Sequence, residues 1–135
     1  MSYKIGVIAG CFDLIHPGYI KMFLDAKNVC DKLTIALHED PSEERPETKH
    51  KPIHSVSERI EILNAIECID GIFTYRTEQE LYELLKESNI NIRILGSDYK
   101  NTQYNGHDLD MEVYFHTRDH NYSTTSLRRK ICEQL

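Results

Sequence analysis

The chain has 135 residues, 40% of them apolar, enough to bury a core as one domain over residues 1–135 without disulfides or a structural metal. A formal charge of −6 argues against a general nucleic-acid binder, and no apolar stretch approaches the roughly 20 residues that span a bilayer. No basic-then-apolar leader is present, and Cys11, Cys30, Cys68 and Cys132 form no C-x-x-C, so a cytoplasmic protein with reduced thiols and no membrane partner is expected.

The run Tyr3–Ala9 is short, apolar and rich in β-branched residues, the pattern of a buried strand. It empties into Gly10-Cys11-Phe12-Asp13-Leu14-Ile15-His16-Pro17-Gly18-Tyr19. Gly10 permits a tight turn, and Pro17 suits the first turn of a helix, where its missing N–H leaves nothing unpaired. Ile20, Phe23, Leu24 and Lys27 then fall at helical spacing, and Leu33–Leu37 reads as a second strand. Residues 39–53 hold three of the four prolines and many charges, which predicts a long exposed loop of the kind that forms lids or binding sites.

Ser55 followed by Glu58 is a capping box opening a helix whose inward face is Val56, Ile60, Leu63 and Ile66. A turn at Asp70-Gly71 leads into the strand Ile72–Tyr75. Next comes a helix over Gln79–Lys86 with Leu81, Leu84 and Leu85 inward, then the strand Ile92–Leu95. A loop rich in Asn, Asp and Gly reaches Asp110. The strand Met111–Phe115 and a final helix from Ser123 to about Glu133 complete the chain.

Strands separated by helices predict an α/β fold, a five-stranded, mostly parallel sheet with helices on both faces joined by right-handed crossovers. Ligands in such sheets sit beyond the carboxyl ends of the strands. The polar segments 10–19, 38–40, 96–99 and 116–125 all fall there. The fingerprint G-x-G-x-x-G and the phosphate loop G-x-x-x-x-G-K-[ST] are both absent, which excludes an ordinary dehydrogenase or ATPase.

A helix N-terminus offers free N–H groups and a positive dipole end, so His16 beside Gly18 describes a phosphate site, where a charged imidazole neutralises a transferring phosphoryl group. The alternative is a histidine that only caps the helix. Asp13 is expected to organise the turn through backbone N–H groups, with Phe12 and Leu14 packing. Hydroxyls of Ser123, Thr124 and Thr125 at the tip of the last helix form an anion cradle, to which Arg118 adds a bidentate fork. Arg128, Arg129 and Lys130 read as a solvated basic face. Neither His50/His54 nor His116/His120 lies within a predicted helix, so their i, i+4 spacing does not predict a metal site, and His38, His107 and these four are expected on the surface or in loops.

The opening motif resembles the G-x-F-D-x-x-H-x-G-H signature of the nucleotidyltransferase superfamily, with Tyr19 where the second histidine stands. Along the whole chain the likeness is to the small glycerol-3-phosphate cytidylyltransferases and to the adenylyltransferase domain that activates heptose phosphates. It implies a Rossmann-like nucleotidyltransferase joining CTP or ATP to a phosphorylated small alcohol or sugar with release of pyrophosphate. Mg²⁺ arrives with the triphosphate. CTP is the expected nucleotide from the whole-chain likeness.

By that resemblance His16 and Arg118, with Lys49 and Lys51 closing the loop, are the catalytic set, although the two lysines also fit a solvated charge run. Gly10, Cys11, Phe12, Asp13, Gly18, Tyr19, Asp98, Ser123, Thr124 and Thr125 bind the nucleotide, and Asp40 and Arg59 the acceptor. Gly96-Ser97-Asp98-Tyr99 is closer to the heptose-phosphate form, and Glu67 stands where the cytidylyltransferases carry an arginine. Asp70 matches a structural or subunit-contact aspartate, and a homodimer with the 54–70 region near its interface is expected. Tyr19 brings no positive charge, which leaves open a slower enzyme, a shifted substrate, or a nucleotide-binding module without the chemistry.

Overall fold

The computed structural model describes residues 3–135. Five strands, β1 (Ile5–Gly10), β2 (Lys32–His38), β3 (Gly71–Tyr75), β4 (Ile92–Gly96) and β5 (Glu112–His116), alternate with α1 (Pro17–Lys27), α2 (Val56–Asn64) and α3 (Glu78–Glu87). Helix α4 (Thr124–Glu133) follows β5. The sheet order is β3-β2-β1-β4-β5, and every pairing is parallel, so the expected mostly parallel sheet is wholly so. Strand order reverses between β1 and β4, the position where such a sheet opens a crevice for a ligand.

Two apolar layers cover the sheet. Phe23 and Ala26 of α1 and Leu63 of α2 pack with Ile8, Leu33, Ile35, Leu37, Ile92 and Ile94, while Leu81 and Leu85 of α3 pack with Val7, Ala36 and Tyr75. Helices therefore lie on both faces. Burying a side chain such as Phe23 or Leu63 contributes about 1.5–3 kcal/mol, so these few contacts hold most of the helix–sheet interface. Two apolar positions depart from the expected pattern: Leu84 is 38% exposed because a single face of α3 meets the sheet, and Leu24 of α1 is likewise exposed.

The helix starts follow their sequence signals. Ser55 and Glu58 form the reciprocal capping box, Thr77 caps α3 and Ser123 caps α4. The first turn is built differently from expectation. Phe12 and Leu14, not Gly10, adopt the left-handed backbone, at φ 52° and 53°. Non-glycine residues pay a steric penalty there, and at Phe12 it is offset by complete burial of the ring against Tyr19 and Phe23.

Candidate active site

A cleft of about 830 Å³ opens at the carboxyl ends of β1 and β4. One wall carries His16, Gly18 and Tyr19 from the start of α1, Asp98 after β4, and Arg118, Ser123, Thr124 and Thr125 from the approach to α4. The opposite wall carries His38, Arg45, Lys49, Tyr75, Glu78 and Arg93.

His16 is the N-cap of α1. Its Nδ1 accepts the Gly18 backbone N–H at 3.1 Å, which places the ring proton on Nε2 and makes that nitrogen the donor. Burial, followed by the nearby His120 and Arg118, pushes the His16 pKa below its ordinary value. The unliganded imidazole is thus a neutral donor at neutral pH, where the sequence suggested a charged one; an arriving anion reverses that balance. Gly18 is required at this spot. A Cβ there would lie 2.7 Å from His120 Cε1 and 2.9 Å from His16 Cε1.

Tyr19 stacks on His16 with centroids 4.3 Å apart, and its hydroxyl meets Thr124 Oγ1 at 3.1 Å. Thr124 donates its single hydroxyl proton to the Asp13 carbonyl at 3.2 Å, so the phenol is the donor in the first bond. This chain ties the N-termini of α1 and α4 side by side. Two helix dipoles therefore converge on one wall of the cleft, where α4 offers its free N–H groups; at α1 Pro17 has none, and those of Gly18 and Tyr19 are taken by His16. Arg118 stands over them, its guanidinium 3.8 Å from Asp98 and bonded to the Tyr122 carbonyl at 3.3 Å. Ser123 Oγ accepts the Ser126 N–H, leaving Thr125 as the exposed hydroxyl of the tip.

Several expected site residues are held elsewhere. The Asp13 carboxylate is buried and accepts the N–H groups of Ile53 and His54 and the Arg128 guanidinium at 2.9 Å. It organises backbone N–H groups as expected, but those of a segment forty residues away in sequence. Arg128 is accordingly not part of a solvated basic face; it locks α4 to this turn. Arg59, expected at the acceptor, is 2% exposed and donates to the carbonyls of Cys11, His38, Glu39 and His54. Each guanidinium nitrogen already has a carbonyl acceptor and Arg59 lies outside the cleft lining, so it clamps the segments beneath the cleft. Asp40 caps the 3₁₀ turn Pro41–Glu43 through the Ser42 N–H, likewise away from the cleft lining.

Of the two loop lysines, Lys49 lines the cleft, whereas the exposed Lys51 meets Arg128 through its own carbonyl at 3.4 Å. Gly10 and Cys11 line the floor, where burial raises the Cys11 thiol pKa and keeps it protonated. Phe12 borders the same floor from the core. Asp70 accepts the Leu33 N–H at 2.8 Å and pairs with Lys27, a structural role. Glu67 is exposed and lies outside the cleft lining. Sequence reasoning missed Arg45, Glu78, Arg93 and His120 as lining residues. Arg45 and His120 lie in segments expected near the cleft, 39–53 and 116–125, but no pattern singles them out there, while Arg93 within β4 and Glu78 at the start of α3 reach it through the packing of the sheet.

The cytidylyltransferase-like family model matches residues 7–130. The chain is 35% identical over 108 residues to the bifunctional protein HldE of Bradyrhizobium sp. (strain ORS 278), which covers 78% of this chain and 21% of that protein. It is 31% identical over 134 residues to the bifunctional protein HldE of Rhodopseudomonas palustris (strain BisB5), which covers 96% of this chain and 27% of the relative. The chain thus spans about a quarter of the length of these relatives. Among solved structures, a lipopolysaccharide core biosynthesis protein from Thermoplasma volcanium GSS1 shares the fold, with a TM-score of 0.69 at 21% identity over 90% of this chain and all of that one. The chain belongs to the cytidylyltransferase-like family, and with it to the nucleotidyltransferases that its opening motif resembles.

Proposed function

We propose that the chain transfers the nucleotidyl group of ATP to a phosphorylated sugar or small alcohol, with release of pyrophosphate. The observation that carries this reading is the convergence of His16 and the N-termini of α1 and α4 on one wall of the cleft, tied by the Tyr19–Thr124–Asp13 hydrogen-bond chain. That wall suits a polyphosphate. The acceptor phosphate already carries an anionic oxygen, so its attack on the α-phosphate requires no general base. As the acceptor oxygen forms the new phosphoanhydride bond to the α-phosphorus, the bond from that phosphorus to the α–β bridging oxygen breaks, and pyrophosphate leaves with its electron pair.

Catalysis then reduces to aligning two anions and stabilising charge at the α-phosphate. His16 donates through Nε2, Arg118 adds a fixed cation, and Thr125 with the α4 N–H groups holds the outgoing phosphates. Lys49, with Lys51 behind it, closes the loop over them. The acceptor lies toward Arg45, Lys49 and Arg93. Mg²⁺ would accompany the triphosphate, held by its phosphates and water.

ATP is favoured by the Gly96-Ser97-Asp98-Tyr99 segment and by the relatives named HldE. The second reading, CTP, is supported by the family model. A homodimer through residues 54–70, in the cytoplasm, completes the proposal on the resemblance alone. Thermal-shift titration tests the nucleotide: a ligand that binds only the folded state raises Tm. ATP is expected to raise it more than CTP at equal concentration. A shift with CTP alone would reverse the assignment, and no shift with either nucleotide would refute the site.

A further inference from the structure

The position of the second motif histidine is filled by Tyr19, whose hydroxyl is already engaged by Thr124. The cleft nevertheless contains a second imidazole, delivered from a different part of the chain. His120 lies in the segment between β5 and α4, and its Cε1 would be 2.7 Å from a Cβ on Gly18, closer than any atom of His16. Its ring thus rests on the first turn of α1.

The two histidines are oriented by the same device. His16 Nδ1 accepts the N–H of Gly18, and His120 Nδ1 accepts the N–H of Tyr122, each two residues ahead and each at 3.1 Å. In both rings the proton is therefore on Nε2. Tyr122 stands beside both, 6.3 Å from His16 and 5.4 Å from His120 between ring centroids. His120 Nε2 is buried and has no hydrogen-bond partner among the described residues. A buried donor without an acceptor is costly, so a ligand oxygen that reaches Nε2 gains a hydrogen bond that none of the described residues supplies.

We infer that His120 supplies the second imidazole donor to the bound polyphosphate, replacing from the β5–α4 segment the histidine that Tyr19 displaces from α1. The inference rests on the proposed phosphate site. In this arrangement Tyr19 is freed to brace the two helix tips, and a phosphate oxygen sits between the Nε2 donors of His16 and His120, with Arg118 alongside. Burial chiefly, and then the nearness of His120, hold the His16 pKa below its ordinary value, in keeping with two imidazoles side by side. A polyanion at that point favours the protonated form of His16.

The test follows the histidine Cε1–H resonances of the whole chain across pH, with and without inorganic tripolyphosphate. Assignments come from His16→Gln and His120→Gln. Tripolyphosphate is expected to move the His16 and His120 resonances together and to raise the pKa of His16. Binding is measured in parallel: His120→Phe, which keeps a ring on Gly18 but no N–H, is expected to weaken tripolyphosphate roughly tenfold or more. His120→Gln, which keeps a donor near Nε2, should stay within about threefold of the parent. If His16 titrates upward while His120 does not move, or if His120→Phe binds as well as the parent, His120 only packs, and the proposed function stands without it. If neither histidine responds, there is no phosphate site at this wall, and both readings fall.

Discussion

Gly18 is the residue on which the geometry of the cleft turns. A methyl group there strikes two imidazoles at once, at 2.7 and 2.9 Å, and each must rotate or shift to admit it. Gly18 is already helical, so the backbone itself tolerates alanine, and the damage is confined to the site. Gly18→Ala is therefore expected to leave Tm within a few degrees of the parent and to lower turnover on the order of 10²-fold, as misplacing reacting groups by about 1 Å does. Steady-state kinetics beside a melting curve check both halves.

Tyr19→Phe should behave in the opposite way. It removes one hydrogen bond to Thr124, costing about 1 kcal/mol of stability, and lowers turnover less than about tenfold because the phenol braces α4 and does not face the phosphate. A hundredfold loss of rate at unchanged stability would assign the hydroxyl to the substrate. His16 gives a pH signature. Its folded-state pKa is below the unfolded value near 6.5, so the unfolded chain binds the proton more readily. Its contribution is nil above about pH 6.5 and destabilises the fold as pH falls below that value. The urea midpoint of His16→Gln is expected to fall less between pH 7.5 and 5.5 than that of the parent; equal slopes would refute the shift.

At the scale of elements, the cleft depends on one buried arginine. Arg59 of α2 donates to carbonyls that end β1 and β2 and precede its own helix, so three segments share a single guanidinium. Arg59→Met fills the volume but leaves those carbonyls unpaired, and we expect a loss of about 3 kcal/mol in chemical denaturation. A loss below about 1 kcal/mol would show that water replaces the clamp. What was legible at this scale follows from short-range physics. The capping box at Ser55/Glu58, Pro17 at the start of α1 and the hydroxyl cap at Ser123 are encoded within three or four residues, and all formed where expected. The roles of Asp13, Arg59 and Arg128 were not legible. Their partners lie between about 20 and 115 residues away, except for His54 and Ser55 beside Arg59, and nothing in the local pattern distinguishes a buried guanidinium from a solvated one.

At the scale of the molecule, alternating periods were enough to predict a parallel sheet, and the order β3-β2-β1-β4-β5 brings the three segments 10–19, 96–99 and 116–125 to one crevice. The loop 39–53 reaches the same crevice only through Pro41, Arg45 and Lys49, which is why Asp40 and Lys51 separate from the group they were expected to join. Within the segment 116–125 nothing singled out His120, because its proximity to His16 is a product of the fold: 104 residues separate the two in the chain, yet both approach Gly18.

The central claim, that this cleft joins a nucleotide to a phosphorylated acceptor, is tested most directly by measuring pyrophosphate release. The assay crosses ATP and CTP, with Mg²⁺, against heptose, glycerol, ribitol and erythritol phosphates, using the parent and His16→Ala side by side. The account predicts acceptor-dependent pyrophosphate release with at least one pair, strongest with ATP and a sugar phosphate, and a loss on the order of 10²–10³-fold in a folded His16→Ala. Nucleotide binding without pyrophosphate from any pair, or release that His16→Ala leaves unchanged, would contradict it.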